Sequence, residues 1–172
     1  MTIPDSSRRS FLRGHSSRRE QPSIRPPWAK PEIAFTTSCS RCDSCIQACP
    51  EGILSRDGGG YPKVDFSRGE CTFCRACVEA CEQPVFNTAT STPPWAHIAA
   101  VGNGCFGQQG VYCRSCGESC EAGAIRFAFS SRSVPIPTID ASLCTGCGAC
   151  VAACPAAAIS VVPAVALEDQ QT

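Results

Sequence analysis

The residues able to do chemistry in this chain are its cysteines, sixteen among 172 residues. They form four quartets in sequence order: Cys39, Cys42, Cys45 and Cys49; Cys71, Cys74, Cys77 and Cys81; Cys105, Cys113, Cys116 and Cys120; and Cys144, Cys147, Cys150 and Cys154. Three quartets share the spacing C-x2-C-x2-C-x3-C, followed by Pro50, Glu82 and Pro155 respectively. The third opens its first interval to seven residues and is followed by Glu121. Cysteines at i, i+3 and i+6 in a tight loop can converge on the corners of one iron–sulfur cubane, while the fourth points away from that corner set. Two other chemistries compete. Pairing sixteen cysteines as disulfides requires an exported chain. Zinc prefers paired knuckles or histidine, and His15 and His97 stand apart from every quartet. The spacing favours [4Fe–4S] clusters.

In two-cluster bacterial ferredoxins the last cysteine of each such run ligates the other cluster. The same rule assigns Cys39, Cys42, Cys45 and Cys81 to a first cluster, and Cys71, Cys74, Cys77 and Cys49 to a second. It assigns Cys105, Cys113, Cys116 and Cys154 to a third, and Cys144, Cys147, Cys150 and Cys120 to a fourth. Crossed ligation ties each pair of quartets into one unit, and ligation energy becomes folding energy. The third site is the weakest of these expectations. Its longer loop can still return Cys105 to the cubane, with Gly104, Gly107 and Gly110 for flexibility. Three clusters and a labile site is the alternative.

Elements must position these loops, and hydrocarbon is scarce. Leu, Ile, Val and Phe number only 32 of 172 residues, so something besides an aliphatic core organises the fold. Short β-prone stretches precede the second and fourth quartets, at Tyr61–Phe66 and Pro137–Asp140. Others follow the second, third and fourth, at Val85-Phe86, Ile125–Phe129 and Ile159–Val162. Ile46–Ala48, Val78–Ala80 and Val151–Ala153 form short helical turns leading into the fourth cysteine. Each unit reads as strand, cysteine loop, short helix, strand. The fold class expected is α+β, two ferredoxin-like 2[4Fe–4S] halves at residues 35–90 and 91–163. They divide at the linker-like Asn87–Pro94. A poorly ordered basic arm spans 1–34, and a short tail spans 164–172. Gly146 and Gly148 are read as letting a loop wrap its cluster. Tyr61, Phe66, Phe73, Phe127 and Phe129 are read as core side chains shielding clusters, and Pro26-Pro27-Trp28 as a segment that docks the arm on the body or on a partner.

Charge excludes some functions. Formal net charge is zero, yet residues 1–30 hold seven basic and two acidic side chains, leaving eight basic and thirteen acidic beyond them. Thiolate-ligated clusters each add about two negative charges, so the loaded body is acidic and unsuited to nucleic acid. No apolar run approaches a membrane span. Ser7-Arg8-Arg9-Ser10-Phe11-Leu12 looks like a twin-arginine export signal, but polar Arg13–Glu20 follows where an apolar stretch is required. The expectation is a cytoplasmic protein. No P-loop, dinucleotide-binding glycine motif or Ser/His/Asp set is evident, so an enzyme is not expected.

Several segments resemble the NapF family, the ferredoxin-type proteins of periplasmic nitrate reductase systems. They are Ser7-Arg8-Arg9, Ile24-Arg25-Pro26-Pro27-Trp28, Ser40–Ile46, Gly59-Gly60-Tyr61-Pro62, Val111–Cys116 and Leu143–Cys150. The resemblance spans nearly the whole chain. It implies a cytoplasmic protein that binds the precursor of the nitrate reductase catalytic subunit before export and assists assembly of its iron–sulfur cluster. A plain electron-transfer ferredoxin serving a cytoplasmic oxidoreductase is the alternative, and the basic arm is the feature that separates the two.

Overall fold

A computed structural model describes residues 23–89, 91–129 and 134–164. The second half shows the architecture most completely. Strand β3 (His97–Val101) leads to helix α4 (Ser115–Glu118), then to strands β4 (Ile125–Phe129) and β5 (Pro135–Ile139). Helix α5 (Ala149–Ala152) and strand β6 (Ile159–Pro163) complete it. The inner strands β4 and β5 pair antiparallel from Ile125↔Ile139 to Phe129↔Pro135. The outer strands β3 and β6 pair antiparallel from His97↔Pro163 to Val101↔Ile159. A two-stranded sheet has only edges, which is why β5 tolerates Pro135 and Pro137.

The first half repeats this order with less sheet. Strands β1 (Leu54–Arg56) and β2 (Pro62–Val64) form the inner hairpin, flanked by helices α2 (Ser44–Gln47) and α3 (Ala76–Glu79). Its outer pair shrinks to one bridge, Ala29↔Phe86. Two hydrogen bonds flank it: the Lys30 N–H donates to the Val85 carbonyl (2.9 Å) and the Asn87 N–H to the Trp28 carbonyl (2.7 Å). Val85-Phe86, expected to form a strand, therefore contributes only this bridge. Strands β1 and β3 lie where the sequence pattern gave no warning.

The arm needs correction over residues 23–34. Trp28 is only 6% exposed and belongs to the first half's core with Phe35, Ile53, Leu54, Phe66, Val85 and Phe86. Helix α1 (Glu32–Ser38) buries Phe35 completely. Arg25 locks this lead-in down, bonding Glu32 (2.6 Å), Asp57 (2.7 Å) and the Pro62 carbonyl (3.0 Å). Hydrogen bonding from Arg25 holds the Glu32 carboxyl below its usual range, although burial opposes it. The remaining arm, with Arg8, Arg9 and His15, and the tail from 165 lie outside the described residues.

Helices α2 to α5 are four residues each, far too short to persist alone. They pack in pairs, α2 on α3 and α4 on α5. Each has the third cysteine of its quartet buried in its first turn: Cys45, Cys77, Cys116 and Cys150. Of the aromatic residues expected in the core, Phe66 is buried, while Phe129, at the end of β4, is 74% exposed. Tyr61, Phe73 and Phe127 are partly buried against the two cores. Among the described residues no helix is long and apolar enough to cross a membrane.

Candidate metal centres

A short helix explains how one quartet can face two directions. In every quartet the fourth cysteine follows the helix end, its N–H donating to the carbonyl three residues back: Cys49 to Ile46, Cys81 to Val78, Cys120 to Gly117 and Cys154 to Val151. The first three cysteines wrap one cavity, and the helix carries the fourth across to the paired helix's loop.

Four cavities result, and each is lined by three cysteines of one quartet and the last of its partner. Cys39, Cys42, Cys45 and Cys81 surround the first, with Phe35, Pro62 and Val85 in its walls. Cys49, Cys71, Cys74 and Cys77 surround the second, against Trp28, Ile53, Leu54 and Phe73. Cys105, Cys113, Cys116 and Cys154 line the third, beside Phe106, Pro137 and Ile159. Cys120, Cys144, Cys147 and Cys150 line the fourth, with Ala99, Ala124 and Ile125. The four voids are alike in size.

The donor arrangement suits a polynuclear group. Among the described residues no three His, Cys, Asp or Glu side chains close on a point as they would round a single ion. All sixteen thiols are free. Around a void, four sulfurs can reach separate corners of a cubane.

Electrostatics agree with this distribution. Burial, reinforced by neighbouring thiols, pushes the Cys77 and Cys150 thiols up to about 12 and Cys45 and Cys116 up to about 11. Cys71 also rises to about 11, chiefly through burial. Such groups are protonated at neutral pH without metal, so ligation must displace protons. Cys42 behaves oppositely. The Ser44 hydroxyl, the Ser44 N–H and the Ser40 side chain bring it down to about 7. Cys42 Sγ lies 3.3 Å from Ser44 Oγ, and Cys113 Sγ lies 3.7 Å from Ser115 Oγ. The matching positions of the second and fourth loops are Ala76 and Ala149. Backbone donors add to this: Ala99 N–H to Cys144 Sγ (3.4 Å) and Ala158 N–H to Cys154 Sγ (3.3 Å). These sulfur donors lie outside the cysteine spacing, though the Cys-x-Ser-Cys signal for two of them is visible in sequence.

The long third loop is ordered by its own backbone. The Cys105 N–H donates to Gly102, Gln109 to Cys105 and Phe106, Gly110 to Gly107, and Val111 to Phe106. Gly107 matters for proximity: a Cβ there would stand 3.0 Å from the Pro135 carbonyl oxygen.

Residues 38–85 match the model of a 4Fe–4S dicluster domain, and residues 137–160 match that of a 4Fe–4S binding domain. The third quartet lies outside both spans. The chain is 44% identical to the ferredoxin-type protein NapF of Escherichia coli K12 over 156 residues, covering 91% of this chain and 94% of that protein. It is 38% identical to NapF of Haemophilus influenzae over 170 residues, covering 94% and 96%. It is 31% identical to the methylamine utilization ferredoxin-type protein MauM of Methylophilus methylotrophus over 159 residues, covering 81% and 70%. Sixteen cysteines together with these matches indicate [4Fe–4S] clusters as the cofactor. Similarity sustained along nine-tenths of the sequence places the whole chain, and not only its cysteine motifs, in the NapF family of ferredoxin-type 4Fe–4S proteins.

Proposed function

We propose that the sixteen cysteines hold four [4Fe–4S] clusters by crossed ligation, and that the loaded protein is a maturation factor. Its client would be the precursor of a periplasmic nitrate reductase catalytic subunit, bound in the cytoplasm. The observation that carries the ligation is the lining of the cavities, three cysteines of one quartet and one of its partner in every case. Within this reading residues 35–90 and 91–163 are the two cluster-bearing halves, and residues 23–34 pack on the first. The third site counts as a full site because Cys105 reaches the same cavity as Cys113, Cys116 and Cys154.

Client binding is supported by charge and shape. The seven basic and two acidic residues of 1–30 give that segment an excess positive charge, which can steer association with an acidic surface. The chain enters the described structure at Ser23 beside a wide groove whose lining includes Lys30, Lys63, Trp95 and His97 as well as Arg25 paired to Glu32 and Asp57. The role itself extends what membership in the family implies: a helper for a client that folds and takes up its cluster before export works where that client is made.

The test is co-purification of a nitrate reductase precursor, with its signal intact, against full-length protein, a variant lacking residues 1–22, and cluster-depleted protein. Retention by the full-length loaded protein alone, weakening as salt rises, is the expected result. Equal retention without residues 1–22 would return the arm to a solvated tail and leave the ferredoxin-like halves as the binding surface, and no retention by any of the three would favour a plain electron-transfer role. A reporter fused after residue 34 should remain inside the cell, and its periplasmic recovery would overturn the localisation.

A further inference from the structure

Cys71 and Cys147 belong to different halves, yet the Cys71 N–H donates to the Cys147 carbonyl at 2.8 Å. The surrounding contacts fall on the same two loops. The Trp95 indole N–H donates to the Thr145 carbonyl (3.0 Å), one residue beyond Cys144. The Trp95 ring meets Phe66 edge-on at 5.9 Å and Phe73 at 5.6 Å, and Phe73 lies inside the loop between Cys71 and Cys74. The seam between the halves is thus built from the second cysteine loop with Phe66 ahead of it, the fourth loop, and Trp95 just past the linker.

The glycines of the fourth loop report how close this approach is. Gly146 and Gly148 have φ of +73° and +84°, a region that favours glycine. The first two loops hold the same sign of φ at the matching positions with ordinary side chains: Arg41 (+57°), Asp43 (+68°), Phe73 (+54°) and Arg75 (+66°). Wrapping a cysteine loop therefore does not by itself demand glycine. Space does. A Cβ on Gly148 would collide with the Phe66 ring, and one on Gly146 would collide with the His97 carbonyl oxygen and stand 2.9 Å from Trp95 Nε1.

We infer that the two halves form one electron-transfer unit, with the second and fourth sites as neighbours across the seam and the four sites running first, second, fourth, third. The steps within each half follow from the shared helices, since Cys45 lies in the first turn of one helix of the first half and Cys49 just past its end, and Cys116 and Cys120 are placed alike in the second. An electron crossing the seam leaves one site oxidised and its neighbour reduced, after a low-potential one-electron donor has supplied it. Electrons entering at one end of the molecule can therefore leave at the other. The inference rests on the proposed ligation but not on the maturation role.

The test uses full-length chains reduced anaerobically with dithionite and read by electron paramagnetic resonance, with iron and sulfide assayed first. Cys42→Ala with Cys113→Ala leaves the second and fourth sites, and Cys74→Ala with Cys147→Ala leaves the first and third. The first pair should show a spectrum split or broadened by magnetic interaction, and the second should show two unsplit signals. Unsplit signals in the first pair, or splitting in the second, overturn the order. If the first pair loses nearly all iron, the ligand assignment itself falls and takes the order with it. Gly148→Ala, with every cysteine kept, guards against misfolding of the paired variants. It should retain wild-type iron but lose the interaction across the seam, and Phe66→Ala added to it should restore that interaction. Iron lost selectively from the fourth site, unrescued by Phe66→Ala, would make Gly148 a cluster-wrapping residue and overturn its role in the seam.

Discussion

Ser44 and Ser115 place a hydroxyl near a cysteine sulfur of the first and third sites, while Ala76 and Ala149 place only a methyl group at the second and fourth. Hydrogen bonds to ligand sulfur favour the reduced, more negative cluster and raise its potential. The Ser44 hydroxyl should therefore make the first site easier to reduce than it would be without it, as Ser115 does for the third and the Ala99 N–H on Cys144 for the fourth. Ser44→Ala is expected to move the first site's midpoint to a more negative potential, with iron content unchanged and the other three midpoints nearly fixed. A redox titration followed by electron paramagnetic resonance reads this directly, and an unmoved first midpoint would show that the Ser44 hydroxyl does not tune it. The lowered thiol of Cys42, with Ser44 as its first cause, is the same stabilisation of negative charge on sulfur seen without metal.

At the scale of elements, the most consequential piece is the lead-in from Ser23 to Ser38. Its single bridge at Ala29 replaces the five-residue pairing that β3 and β6 make in the second half. Side chains make up the difference. Trp28 is almost wholly buried, its indole N–H reaches the Thr92 carbonyl at 2.9 Å, and the Arg75 guanidinium lies over its ring at 4.5 Å. Its backbone N–H also donates to Pro94, so the lead-in holds the linker in place. Trp28→Ala should cost about 3 kcal/mol or more, as aromatic truncations in cores do, and should lower the denaturant midpoint for loss of the clusters' visible absorption. An unchanged midpoint would mean that this segment lies on the body without stabilising it. Apart from Pro26-Pro27-Trp28, the lead-in does not stand out in sequence, because its neighbours are basic and polar. Burial of Trp28 and Phe35 depends on contacts 50 or more residues away, to Phe86, Thr92 and Pro94.

At the scale of the molecule, the proposed cysteine ligation would take the place of a large hydrocarbon core. Two apolar clusters surround the four cavities, the larger centred on the first half and reaching Val161 and Trp95 of the second. Removing the clusters leaves buried thiols facing one another, with Cys77 and Cys150 pushed up to about 12, and no apolar atoms to fill the voids. Protein purified without oxygen should contain about sixteen iron and sixteen labile sulfide per chain, and chelation under reducing conditions should unfold it. Cys105→Ser should remove about four iron, whereas an unchanged iron content would reduce the count to three clusters.

The sequence alone determined the chemistry, because ligand spacing within a quartet is a local property. In three quartets the first three cysteines fall within seven residues and can reach one cubane whatever the rest of the chain does, and the proposed pairing of quartets rests on the cavities they line in the folded chain. Strands Ile125–Phe129 and Ile159–Pro163 were legible for the same reason, as short β-branched or aromatic runs beside a quartet. Tertiary structure alone decided the relation of the halves. Nothing in the spacing distinguishes a seam between the second and fourth loops from one between the first and third. That choice depends on the fit of Phe66 against Gly148, the reach of Trp95 to Thr145, and one hydrogen bond from Cys71 to Cys147. These contacts join residues 50 to 82 positions apart in sequence, and complementarity of shape at that separation leaves no periodic trace in the chain.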